Sequence, residues 1–153
     1  MMRKYEELTS AACEKGFFVA EYPFRHTDGM VRGHRIGIRA GQTETEKACV
    51  LAEEIAHAEL TVGNILDQND VSNRQQELRA RIAAYDRLIG LSGLIAAHLH
   101  GCQNRYEAAE FLGVTEKFLA EAVECYRKKY GVAVMKEKYL VIFEPTLAVL
   151  EFI

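Results

Sequence analysis

In the run Glu53-Glu54-Ile55-Ala56-His57, two carboxylates and an imidazole follow one another closely. On a helix turning about 100° per residue they share one face, within an arc of about 100°. Glu53 and His57 are i and i+4, so their side chains can converge on one point, as two ligands of one ion must. Glu54 sits beside them, close enough to act on whatever is bound. The HExxH zinc motif has this geometry, two histidines binding metal and the glutamate activating water. Here Glu53 stands at the first histidine's place. Taken alone, an ExxxH pair more often marks a solvated helix face with an incidental histidine.

The other histidines read as bland. His26 sits in a turn and His34 alternates with strand residues, while His98 and His100 point to different faces of a helix. Tyr85 or one of these histidines could stabilise an oxyanion, but nothing in the sequence selects one. Cys13, Cys49, Cys102 and Cys125 are scattered and form no CxxC. They read as free thiols in a reducing compartment rather than as a zinc cage.

These groups need elements to position them. Arg3 to Lys15 reads as an amphipathic helix ended by Gly16. Phe17 to Phe24 reads as a strand, His26-Thr27-Asp28-Gly29 as a turn, and Val31 to Arg39 as a second alternating segment. Together they predict a β-hairpin or meander. Thr43 and Glu46 have capping-box spacing and open the helix that carries Glu53, Glu54 and His57. A polar stretch from Gly63 to Val71 interrupts it. Ser72 and Gln75 offer a second capping box, for a helix running to about Leu88. Gly90 to Gly93 breaks that helix before Leu94 to His100.

Two short helices follow, Asn104 to Leu112 and Glu116 to Tyr130, around Gly113-Val114-Thr115 and stopped by Gly131. Val132 to Met135, Tyr139 to Phe143 and Leu147 to Phe152 are strand-like. Helices between two sets of strands predict one α+β domain over residues 1–153.

The 153 residues are 49% hydrophobic and 27% charged, a composition that can bury a real core. The net charge of -3 gives no general attraction to nucleic acid or an acidic membrane, although a local basic patch could hide in that average. The start of the chain is charged and carries no apolar leader-like segment, so a cytoplasmic location is expected. The helices at Asn104–Tyr130 also fit a helix-turn-helix. Glu116, Glu121 and Glu124 outnumber Lys117 ahead of Arg127-Lys128-Lys129, which is the wrong charge for a recognition helix.

The stretch Lys47-Ala48-Cys49-Val50-Leu51-Ala52-Glu53-Glu54-Ile55-Ala56-His57 resembles the LAHELGH helix of the ImmA/IrrE metallopeptidase-like family. Glu77-Leu78-Arg79-Ala80-Arg81-Ile82-Ala83-Ala84 is similar to that family's Glu-x-x-Ala-Asn-x-Phe-Ala, with Arg81 and Ala83 replacing Asn and Phe. Ala108 to Thr115 resembles its LAxxFxVS segment. The likeness looks closest to the phage and mobile-element branch.

The resemblance implies a zincin-like fold and a divalent metal, Zn²⁺ or else Mn²⁺, held by Glu53, His57 and Glu77, with Glu54 as general base. It implies an endopeptidase that cleaves or inactivates a helix-turn-helix repressor of a prophage or mobile element. The alternative is a catalytically impaired relative acting as a repressor-binding antirepressor. Neither nucleic acid nor membrane is an expected partner. Two carboxylates and one imidazole would neutralise Zn²⁺ formally, making it a weaker Lewis acid than a His₂Glu set does.

Overall fold

A computed structural model describes residues 3–63 and 70–153. Two compact units divide the chain, residues 1–84 and 85–153. The first opens with helix α1 (Lys4–Glu14), whose Tyr5, Leu8 and Ala12 are buried. Gly16 follows at φ +91°, a left-handed turn that a residue with a β-carbon rarely adopts.

Strands β1 (Phe18–Tyr22), β2 (Gly29–Arg32) and β3 (Arg35–Arg39) form a sheet in the order β1-β3-β2. A hairpin forms, but it lies within Gly29–Arg39, most of which was read as one strand, and not across His26–Gly29. β2 and β3 pair antiparallel across Gly33-His34, but β1 pairs parallel to β3, with Val19 opposite Ile36. The reason lies in burial. Ile36, Gly37 and Ile38 are all buried, which suits the central strand, whereas no residue of β1 or β2 is fully buried, which suits edges. Residues 23–28 therefore bridge the end of β3 rather than close a tight turn, and Asp28 accepts a hydrogen bond from the Arg39 amide at 2.8 Å.

Helix α2 (Glu44–Gly63) packs on α1, β2 and β3. Its capping box forms as read: the Glu46 amide donates to Thr43 Oγ1 at 3.1 Å, and the Thr43 amide to Glu46 Oε1 at 3.2 Å. Ala48, Leu51, Ala52, Ile55 and Ala58 are buried, leaving Glu53, Glu54 and His57 partly exposed. Helix α3 (Asp70–Leu88) already contains Ser72, so that serine lies inside the helix rather than capping it. Most of the polar stretch expected between α2 and α3 lies outside the described residues.

The second unit contains α4 (Gly90–His100), α5 (Arg105–Leu112), α6 (Glu116–Tyr130) and strands β4 (Ala133–Lys136), β5 (Tyr139–Ile142) and β6 (Ala148–Glu151), an antiparallel meander in that order. The break falls at Ile89 and Gly90, and Gly93 lies within α4. A β-carbon on Gly93 would stand 3.2 Å from Leu112 Cδ2, so that glycine permits close packing. Asn104 and Thr115 cap α5 and α6 through the Glu107 and Phe118 amides, at 2.8 and 3.0 Å.

Phe118, Leu119, Ala122 and Tyr126 turn inward from α6. The Tyr126 hydroxyl donates to Asp86 Oδ1 at 2.8 Å and accepts from the Gly90 amide at 3.2 Å, tying down the chain at the α3–α4 break. All four cysteines are free thiols. The architecture is α+β, with the N-terminal helix, hairpin, motif-bearing helix, further helices and short C-terminal strands that the pattern predicts.

Candidate active site

The exposed side of α2 brings Glu53, Glu54 and His57 to one surface of the first unit, and α3 brings Glu77 to it. His57 Nε2 lies 3.5 Å from Glu77 Oε2. Two donors bonded to one tetrahedral Zn²⁺ at 2.0–2.2 Å stand about 3.4 Å apart, so this pair is spaced like an edge of such a site. Ala80 and Ala84, one and two turns beyond Glu77, are buried, as small residues on a packed face should be.

Glu77's other oxygen is occupied. Arg81 Nε stands 3.3 Å from Oε1, an i, i+4 pair made by one of the two residues that depart from the family pattern. The guanidinium puts a positive charge where a cation would have to share the carboxylate. Glu53 does not join His57 and Glu77. Among the described residues no three His, Cys, Asp or Glu side chains form a group that could hold a metal ion. Two of the three expected donors are therefore spaced for a divalent ion, and the third is not yet brought to it.

Glu54 is the most perturbed carboxyl here. Burial, then the charges of Glu53 and Glu77, raise its pKa from the ordinary 4.5 to about 7. Part of that burial comes from an unexpected direction. Gly29, the first residue of β2, lies directly against it: a β-carbon there would meet Val50 Cγ1 at 2.7 Å, Glu54 Cγ at 2.8 Å and Glu54 Oε1 at 3.0 Å. Sequence reasoning placed Gly29 in a turn and missed this role. A glycine opening an alternating strand was the available signal.

Tyr85 is buried in the second unit, edge-on to Phe118 at 5.1 Å between ring centroids. His34 tilts against Phe17 at 5.6 Å and His100 stacks on Phe111 at 4.4 Å. Arg127, at the basic end of α6, is held by Glu124 and by Glu144 at 2.7 Å.

A carboxylate poised near neutrality, beside an imidazole–carboxylate pair spaced for a divalent cation, is equipment for hydrolysis. No curated protein and no solved structure matches the chain. The family model for the IrrE N-terminal-like domain, Peptidase_M78, matches residues 17–124, from the start of the first sheet into α6. That match covers more than half of the sequence, and the chain belongs to this family, the metallopeptidase-like proteins of the ImmA/IrrE type.

Proposed function

We propose that this protein is a metal-dependent endopeptidase that cleaves a helix-turn-helix repressor of a prophage or mobile element. The observation that carries the reading is the His57–Glu77 pair at 3.5 Å beside Glu54. His57 and Glu77 would hold the ion, and Glu53, one helical turn from His57, supplies the third donor after a rotamer change. A divalent ion held there, Zn²⁺ or Mn²⁺, would supply Lewis acidity toward water and the scissile carbonyl.

Glu54 does the proton work. Ionised, it accepts a proton from the attacking water; protonated, it returns that proton to the leaving amine. A carboxyl with a pKa near the working pH serves both steps. The test uses purified wild type and Glu54→Gln, with zinc affinity and cleavage of the repressor encoded beside the gene as readouts. Loss of cleavage with zinc affinity retained supports the reading. Undiminished cleavage by Glu54→Gln overturns it.

A second reading is favoured by Arg81 and Glu53. Arg81 competes with a cation for Glu77, and Glu53 stands outside the donor pair. A protein so arranged could bind the repressor without cutting it, as an antirepressor. Repressor binding with no cleavage at saturating zinc would select that reading.

A further inference from the structure

The outer face of the first sheet carries a charge the chain as a whole does not. α2 covers the side bearing Val50 and Glu54 against Gly29, so the alternate residues of each strand face away from it. The strand register sorts them into rows. Phe18, Arg35 and Arg32 form one row, Ala20, Gly37 and Met30 the next, and Tyr22 with Arg39 the last. Phe18 is 61% exposed, Met30 41% and Tyr22 38%.

The ring of Phe24 stacks on Tyr22, centroids 5.5 Å apart. Both rings lie over Gly37, where a β-carbon would meet Phe24 Cζ at 2.8 Å and Tyr22 Cδ2 at 3.0 Å. An aromatic platform is thus built into the sheet rather than scattered on it.

Arg32 and Arg35 are direct cross-strand partners. Like charges so placed oppose folding. Among the described residues only Arg39 of the three arginines on this face has a carboxylate in ion-pair contact, Asp28 at 2.9 Å. A repulsive pair with no carboxylate partner among the described residues, in the same row as an exposed phenyl ring, suits an external anion with a flat apolar part.

We propose that this face binds single-stranded nucleic acid, with phosphate between Arg32 and Arg35 and bases stacked on Phe18 and on the Tyr22–Phe24 pair. Phe18 and Tyr22, four residues apart on one strand, are separated by about 13 Å and take different bases. Arginine-flanked aromatic rings on an open sheet suit unpaired bases, which can present their faces, and do not suit a duplex, whose bases are stacked inside. The chain's net charge of -3 does not oppose this: no Asp or Glu stands in these three rows, and Asp28 pairs with Arg39 at the last of them.

The experiment is fluorescence anisotropy of the full chain with fluorescein-labelled octamers of dT and of rU, and with a duplex of equal length, across a salt series. Saturable binding of the single strands is expected in the range of about 1–100 µM, weakening with salt at a slope of about -0.7 per phosphate held. Arg35→Ala should lower that slope by about one such contact. Phe18→Ala should weaken binding by about 5- to 150-fold, the effect of one stacked base. Both side chains are exposed, and the far-UV spectrum of each variant verifies its fold.

No binding by folded wild type at low salt would overturn the proposal, as would equal affinity for the duplex. Binding insensitive to Phe18→Ala but displaced by polyglutamate would also overturn it, assigning the face to an acidic protein segment instead.

Discussion

Gly29 and Glu54 touch across the interface of β2 and α2: a β-carbon on the glycine would stand 2.8 Å from Glu54 Cγ. The strand backbone thereby shields one side of the carboxyl and helps hold its pKa near 7. Gly29→Ala must push either Glu54 or Val50, whose Cγ1 is 2.7 Å from the same point. Overpacking of this kind costs about 1–3 kcal/mol. We expect that loss in urea unfolding of Gly29→Ala, and a smaller loss when the change is made on Glu54→Ala. Contacting residues couple by about 0.5–3 kcal/mol. An additive double mutant would show that the glycine makes room only for Val50.

This relationship also marks where sequence reasoning stopped. Thr43 with Glu46 and Gly131 set helix ends through bonds within a few residues, so their roles were legible. The i, i+4 spacing of Glu53 and His57 and the alanines around Glu77 were legible as well. Sheet order was not. β1 joins β3 in parallel because the central place goes to the strand buried on both faces, a competition no short window contains. Gly29 reads as a turn residue until α2 is seen lying against it. Arg81 reads as a departure from the family pattern, but only the structure places its guanidinium on the expected ligand Glu77.

The raised pKa of Glu54 gives a pH dependence with a definite sign. Its pKa is 4.5 unfolded and about 7 folded. Native protein therefore binds the proton more tightly, and the associated stability is present below pH 4.5 and lost as pH rises through about 7. Glu54→Gln removes the charge that burial opposes. In metal-free protein at pH 8 it should be the more stable form, by about 1–2 kcal/mol after discounting for partial exposure. Thermal unfolding at pH 8 and pH 5 checks this. A constant difference between the two pH values would contradict the assignment.

In the second unit, Tyr126→Phe leaves Asp86 Oδ1 and the Gly90 amide without their shared hydroxyl partner. Burial and then Asp86 raise the pKa of this phenol, so it acts as a neutral donor throughout the working pH range. Losing one member of such a buried set costs about 1–3 kcal/mol. Denaturant unfolding should show that loss, and amide exchange should quicken at Gly90 before it quickens in β5. Unchanged exchange at Gly90 would show that the break is held by packing alone.

Metal affinity should respond to two substitutions that act on opposite sides of the His57–Glu77 pair. Arg81→Asn removes a cation 3.3 Å from Glu77 Oε1 and frees that carboxylate. The lost ion pair is exposed and contributes about 0–1 kcal/mol, so the fold should survive. Glu53→His replaces a carboxylate with an imidazole one turn from His57, which restores two histidines to the helix and makes any bound Zn²⁺ a stronger Lewis acid. Each change should tighten Zn²⁺ on the order of tenfold, about 1.4 kcal/mol, and because both act on one centre the double variant should depart from the simple sum. Titration against a competing chelator measures this without any substrate. The imidazole is bulkier than the carboxylate it replaces, so Arg81→Asn is the cleaner arm. If neither variant binds zinc more tightly than wild type, His57 and Glu77 form an ordinary ion pair, and the proposed metal centre falls.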